Sequence, residues 1–262
     1  MNCITSTPSP FSLAGKRGLV VGIANEHSIA TGCARAFAAC GARLGATYLN
    51  EKAKPHVQAV TDELPCDFLL PCDVEKPGEL EAVFGEAAQR WGKLDFMLHA
   101  IAFAPAADLH GRVVDTSPEG FAQAMDISCH SFLRMTRLAE PLMPDGGSLM
   151  TITFQGSEHV VPNYNVMGPV KAALESAVRY AAAELGAKNI RVNAISPGPI
   201  ATRAASGIEK FNELLDAAEN APERRLATIE DVGALAAFLA GGGAGMLTGT
   251  IIPVDGGQHL LA

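Results

Sequence analysis

Basic residues are scarce: 20 Lys and Arg against 28 Asp and Glu leave a formal net charge of −8. Phosphate-binding surfaces need clustered cations, and no such cluster runs through this chain, which argues against a nucleic-acid surface. The six cysteines (Cys3, Cys33, Cys40, Cys66, Cys72, Cys129) contain no CxxC pair and no Cys/His spacing suited to zinc. Most sit among apolar neighbours, where a free thiol packs as a small hydrophobe, so they read as reduced and the compartment as cytoplasmic. The seven histidines make no HExxH and no paired spacing, and no metal is assigned. A GxSxG elbow is also missing, which disfavours a serine hydrolase. Residues 1–12 have neither the basic start nor the apolar core of a signal peptide and are expected to form a poorly ordered extension to a single domain of residues 13–262. One stretch, 233–254, carries no charge at all, but Gly241-Gly242-Gly243 and Gly245 interrupt it. It reads as helix, loop and strand, with no membrane span.

What is abundant is apolar sequence. A hydrophobic content of 48% with 18% charged residues suits an α/β protein whose sheet is covered on both faces. Residues 17–22 form a short apolar run ending on glycine, as a buried parallel strand does, and an alanine-rich helix follows over 28–40. Further strands are expected at 44–49, 67–74, 95–101, 148–154, 190–196 and 250–254. Between them, Leu80, Val83, Phe84, Ala87, Ala88 and Trp91 mark one face of a helix, 117–142 contains a long helix, and 162–185 reads as another. Thr228-Ile229-Glu230-Asp231 has the form of a capping box entering a helix that ends near Gly241. The alternation predicts a single-domain, doubly wound α/β Rossmann fold with a seven-stranded parallel sheet and helices on both faces.

Ligands of such sheets lie beyond the carboxyl ends of the strands. The loop from Gly22 to Ala30 is not a GxGxxG, yet it follows a strand and opens a helix whose N–H groups suit a pyrophosphate; a plain turn with Ser28 as cap is the alternative. After the second strand, Glu51 could bind an adenine ribose or serve as a first-turn helix carboxylate, and no cation sits at the strand tip. NADH is therefore mildly preferred over NADPH, which stays open. Asp73 could face an adenine amino group or cap the next helix. Tyr164 and Lys171 lie seven positions apart, which in one helix is about two turns and places both side chains on one face. A phenol can give a proton to a developing oxyanion, and a nearby ammonium eases this, although a Tyr and a Lys on an ordinary surface helix share the same spacing.

With these residues in view, the chain resembles the short-chain dehydrogenase/reductase superfamily, in particular its divergent branch of bacterial enoyl-[acyl-carrier-protein] reductases. The likeness spans about residues 13–260. It is carried by Gly22-Ile23-Ala24 with Ser28-Ile29-Ala30, Cys72-Asp73-Val74, His99 to Pro105, Tyr164 to Gly168, Lys171, Arg191 to Ile200, and Val254-Asp255-Gly256-Gly257. Ordinary superfamily members carry Tyr-x-x-x-Lys; here Met167 stands four before Lys171, and Tyr-x6-Lys is the enoyl-reductase spacing.

The resemblance implies hydride transfer from NAD(P)H to the β-carbon of a trans-2-enoyl thioester, with Tyr164 hydrogen-bonding the enolate oxygen and Lys171 holding the nicotinamide ribose. It implies cofactor contacts at Gly22, Ile23, Ser28, Ile29, Leu49, Asp73, Val74, Ala100, Ile101, Ala102, Pro199, Ile200 and Thr202. Substrate contacts are implied at Ala102, Phe154, Tyr164, Met167, Ala204, Ile208 and Phe211, with 204–220 as a mobile substrate-covering segment. An acyl carrier protein as the substrate's bearer and a homotetramer are implied as well; Arg203, Lys210, Arg224 and Arg225 are candidates for meeting the acidic carrier. One departure stands out: where relatives carry a second tyrosine ten residues before the catalytic one, this chain has Phe154. Two other readings remain: a carbonyl or steroid-type reductase on the same scaffold, and a weakly active nucleotide-binding paralogue.

Overall fold

The computed structural model describes residues 9–202, 215 and 221–261. Seven strands, β1 (Arg17–Val21), β2 (Arg43–Tyr48), β3 (Cys66–Pro71), β4 (Phe96–His99), β5 (Gly147–Ile152), β6 (Ile190–Pro197) and β7 (Ile251–Val254), form one sheet in the order β3-β2-β1-β4-β5-β6-β7, every neighbouring pair parallel. The helices described are α1 (Ile29–Ala39), α2 (Lys54–Thr61), α3 (Glu79–Trp91), α4 (Ala106–Leu109), α5 (Pro118–Met125), α6 (Ser131–Ala139), α7 (Met167–Leu185) and α8 (Ile229–Ala240).

Both faces of the sheet's centre are covered, so its strands are mostly apolar on both sides, and the polar residues they do carry, among them Ser148, Thr151 and Asn193, are buried and hydrogen-bonded. Leu19, Met97, Leu149 and Val192 point to one face, under α3 and α5–α7. Val20, Leu98, Met150 and Ile195, the next residues or near neighbours in the same strands, point to the other, under α1, α2 and α8. A fully buried leucine of this kind contributes about 1.5–3 kcal/mol of transfer free energy. Strand β1 lies between β2 and β4, so the chain leaves β1 and β4 in opposite directions and opens a crevice at their carboxyl ends.

The expected capping box forms: Thr228 accepts the Asp231 N–H and the Asp231 side chain accepts the Thr228 N–H. Thr228→Ala is expected to cost about 1 kcal/mol, a fall of about 2–4 °C in Tm for a domain of this size, read by thermal denaturation. No change would mean that the Arg225–Asp231 pair carries the helix start alone.

Two expectations are corrected, and one helix is new. The stretch 117–142 is not one long helix. Ser117 caps α5 by accepting the Gly120 N–H, and a π turn (Asp126–His130) separates α5 from α6, with the Ser131 N–H reaching Asp126 O five residues back. A 3-10 turn (Glu140–Leu142) containing Pro141 ends it. Helix α2, which has no strong periodic signal, starts after an Asn50 turn with Pro55 in its first turn. And α7 begins at Met167, so Tyr164 lies outside it. In the stretch 1–12, residues 9–12 are tied to the end of α8: Pro10 O accepts the Gly243 N–H at 2.9 Å, and the Phe11 and Phe238 rings are 6.0 Å apart. Among the described residues no helix is long and apolar enough to cross a membrane, and Cys33, Cys40, Cys66, Cys72 and Cys129 are free thiols.

Candidate active site

The loops after β1 and β4 meet at Gly22. Its φ is +118°, and a Cβ there would lie 2.2 Å from Ala100 O. No side chain fits between the two loops, so only glycine lets them close on each other. The rest of the first loop is held by its own hydrogen bonds. Asn25 O accepts the Ser28 hydroxyl at 2.9 Å and the Thr31 hydroxyl at 2.6 Å. Ser28 occupies the N-cap position of α1, but its side chain makes no capping bond. The N–H groups of Ile29 and Ala30 find no acceptor among the described residues, leaving the start of an eleven-residue helix open to an anion. Ile23 is buried. A pyrophosphate fits the open helix start: free N–H donors at a positive dipole end.

Around this crevice the other expected cofactor residues sit at strand ends. Leu49, just past β2, is exposed. Glu51 accepts the Tyr48 hydroxyl at 3.1 Å and lies 3.8 Å from Lys54. Asp73 does not cap α3, whose N-cap is Gly78; its carboxylate accepts the Glu75 N–H at 3.1 Å and its own N–H donates to Glu79 at 2.6 Å. Val74 is buried beside it. Ala100 and Ile101 are half-buried and Ala102 is exposed. Beyond β6, Gly198 N–H donates to Val254 O, Pro199 is buried, Ile200 packs on the α1/α8 face, and Thr202 N–H donates to Ile200 O. Ala204, Ile208, Phe211, Arg203, Lys210 and all of 204–220 except residue 215 lie outside the described residues. Arg225 is committed to Asp231 at 2.6 and 3.0 Å.

Tyr164 is presented by a turn, not by a helix. Asn163 (φ 63°) and Asn165 (φ 44°) both adopt the left-handed region that asparagine tolerates. The Asn165 side chain donates to Leu109 O at 2.6 Å, fixing the turn to the end of α4. The Tyr164 ring lies 4.9 Å from that of Phe154, tilted by 57°, and against Gly156, where a Cβ would come within 2.5 Å of it. Its hydroxyl makes no hydrogen bond with any described residue. Burial, and secondarily the Glu175 carboxylate, push its pKa well up, so the phenol keeps its proton. A cavity of about 400 Å³ opens beside it, between Gly156 to Val161, Val113 and the first turn of α7. A second cavity, about 250 Å³, is lined by Arg225, Asp255 and His259 and by neither Tyr164 nor Lys171. Met167 is buried beneath Tyr164 at the start of α7.

Lys171 is buried one turn further along, donating to Ile152 O at 2.8 Å at the end of β5. No hydrogen bond joins it to Tyr164. Burial pulls its ammonium down to about 8, against which Cys129 and Glu175 act weakly. Glu175, also buried, accepts the Thr153 hydroxyl at 2.6 Å. The linkage sign is definite. Between about pH 8 and 10.5 the unfolded chain holds the Lys171 proton and the folded chain does not, so stability rises with pH across that window; below pH 8 both are protonated and the burial cost is fully present. Denaturant titrations at pH 7 and pH 10 are expected to show the wild type gaining on the order of 3 kcal/mol relative to Lys171→Met. Parallel pH profiles would refute it.

Several residues that frame the site are assigned no role from the sequence. His99 is fully buried between Thr151 and Ser131, both at 2.8 Å, and burial, then the Lys171 charge, lower it to about 3. Ser128, in the π turn, accepts the Phe103 N–H at 2.8 Å and donates to Phe103 O at 2.9 Å. Periodicity reads 117–142 as helix and cannot register a π turn, which is where Ser128 and Cys129 acquire their orientation.

Together these features place an open helix start at the carboxyl ends of β1 and β4, and a protonated phenol and a buried lysine beyond the end of β5. A family model described as Enoyl-(Acyl carrier protein) reductase matches residues 22–259. The enoyl-[acyl-carrier-protein] reductase [NADH] 2 of Rhizobium meliloti (strain 1021) is 48% identical over 247 residues, 94% of this chain and 92% of its own. The NADH enoyl-[acyl-carrier-protein] reductase of Haemophilus influenzae is 46% identical over 252 residues, 95% of this chain and 96% of its own. Among solved structures, the Anaplasma phagocytophilum reductase in complex with NAD has a TM-score of 0.92 at 44% identity, covering 95% of this chain and 96% of that one. The Bacillus cereus reductase with NADP+ and indole naphthyridinone also gives 0.92, at 45% identity, covering 95% and 98%. The chain belongs to the enoyl-(acyl carrier protein) reductase family.

Proposed function

We propose that this chain reduces the C2=C3 double bond of a trans-2-enoyl thioester borne on acyl carrier protein, a step of fatty-acid synthesis, with NADH as the preferred reductant. The single observation that carries the reading is Tyr164: a buried, protonated phenol whose hydroxyl has no hydrogen-bond partner among the described residues, in a side chain that lines a cavity of about 400 Å³. The reduced nicotinamide, when bound, supplies a hydride to the β-carbon. The chain's own work is to bind, orient and stabilise. Gly22 and the open start of α1 hold the pyrophosphate, Asp73 and Val74 line the adenine, and Ile101 and Ala102 line the adjoining ribose. Pro199, Ile200 and Thr202 border the nicotinamide end. Tyr164 donates its hydrogen bond to the thioester oxygen as negative charge gathers there, and Lys171 supplies a fixed positive charge at the same edge. Relatives named for NADH support that preference.

Purified protein given NADH and enoyl thioesters of graded chain length is expected to consume the reduced cofactor. Absence of turnover at every chain length, with NADH still bound, would favour the non-catalytic paralogue that Phe154 suggests. A carbonyl reductase is disfavoured by Met167 at the position where Tyr-x-x-x-Lys would place its tyrosine. We also propose a homotetramer acting in the cytoplasm. Exposed Phe121, Leu133 and Tyr180 on α5–α7 and the half-exposed edge strand β7 support the assembly, which sedimentation would test.

A further inference from the structure

The π turn between α5 and α6 lies at the centre of a buried hydrogen-bond chain with a fixed direction. The Ser131 hydroxyl donates to Ile127 O at 2.6 Å. Its single proton is thereby used, so toward His99 it can only accept, and His99 Nε2 carries the hydrogen. His99 Nδ1 is then an acceptor, taking the Thr151 hydroxyl at 2.8 Å. The chain runs Thr151, His99, Ser131, Ile127 O: from the end of β5, across the end of β4, into the π turn. All three side chains are fully buried, so none of these bonds can be replaced by water without rearrangement. From the same turn, Ser128 grips both the N–H and the carbonyl of Phe103, in the loop that carries Ile101 and Ala102. One turn on, Arg134 donates to Val74 O at 2.8 Å, in the loop that carries Asp73.

We propose that neutral His99, acting through Ser131, is a positioning residue that holds the π turn so that Ser128 sets the 101–103 loop for the cofactor. Histidine suits the task because its two nitrogens, one donor and one acceptor, match two hydroxyls on different elements at once. Its burial beside the Lys171 charge keeps it neutral, so the acceptor at Nδ1 is preserved throughout the working pH range.

The proposal rests on the reading that NADH occupies the crevice, and direct NADH binding to the full-length protein tests both separately. Ser131→Ala and Ser128→Ala are each expected to raise the NADH dissociation constant about tenfold, and the double variant to raise it no further, because both break one path. Ser131→Ala with wild-type affinity, or a double variant whose effect is the product of the two, would overturn the inference. A wild type that fails to bind NADH would instead overturn the proposed function. Two conservative variants provide a readout that simple loss of stability does not move. His99→Gln can still reach Ser131 with an amide N–H and is expected to bind NADH within about threefold of wild type. His99→Asn can serve only Thr151 and is expected to behave as Ser131→Ala. Each removes one hydrogen bond to a buried hydroxyl, so equal effects on NADH binding would mark His99 as merely structural.

Discussion

Tyr164→Phe is expected to lower kcat/KM for an enoyl thioester by about 10²–10³, the cost of removing one donor aimed at a developing oxyanion, while NADH affinity stays within about twofold. The ring would keep its place, since Phe154 at 4.9 Å and the Gly156 backbone hold it through its faces rather than its hydroxyl. Only the donor is lost. In relatives with a second tyrosine at the Phe154 position, another phenol could take over part of the role; here no hydroxyl stands there. The same geometry makes Phe154→Tyr informative. Placed in the Tyr164→Phe background, it is expected to recover about tenfold if its hydroxyl reaches the same oxygen, because the two rings already share one wall of the site. Steady-state rates at saturating NADH decide the matter. A Tyr164→Phe enzyme with undiminished kcat/KM would remove Tyr164 from the chemistry, and weakened NADH binding would reassign it to the cofactor.

Much of the architecture was open to reading from composition and order alone. A strand buried on both faces is mostly apolar, so 17–22, 148–154 and 190–196 stand out despite Ser148, Thr151, Arg191 and Asn193, and their alternation with helices points to a parallel sheet. Gly22 was legible only as the glycine that ends the first strand; that two loops close on each other there, with φ +118° and no room for a Cβ beside Ala100 O, is a tertiary fact. The Tyr164–Lys171 spacing singled out a pair on an incorrect premise. Periodicity treats 162–185 as continuous helix, whereas Asn163 and Asn165 turn left-handed on either side of Tyr164 and delay α7 to Met167. Seven residues therefore span a turn plus little more than one helical turn. The π turn was illegible because one extra residue in a helix leaves the hydrophobic pattern on both sides intact. The roles of His99 and Ser128 depend on tertiary neighbours 25 to 52 positions distant, which no local pattern encodes.

Lys171→Met is expected to separate activity from stability. The lysine is buried to the same depth as the core leucines around it, and burial is the main reason its ammonium titrates near 8. Desolvating a charge is unfavourable, and a methionine of similar length fills the same channel without it. What the fold loses is the bond to Ile152 O at 2.8 Å, a net of about 1 kcal/mol. At pH 7 the variant is therefore expected to be at least as stable as the wild type. Its kcat/KM is expected to fall by about 10²–10³, since on the proposed mechanism it would lose both the positive charge that stabilises the enolate and the hydrogen bonds to the nicotinamide ribose. The wild type's kcat/KM should itself decline above about pH 8, as Lys171 in the free enzyme loses its proton, and the variant's should lack that limb. Stability maintained alongside collapsed activity would mark Lys171 as a residue kept for chemistry at the expense of packing. A variant that unfolds at pH 7 would show instead that the lysine is structural, with Glu175 as the buried charge it balances.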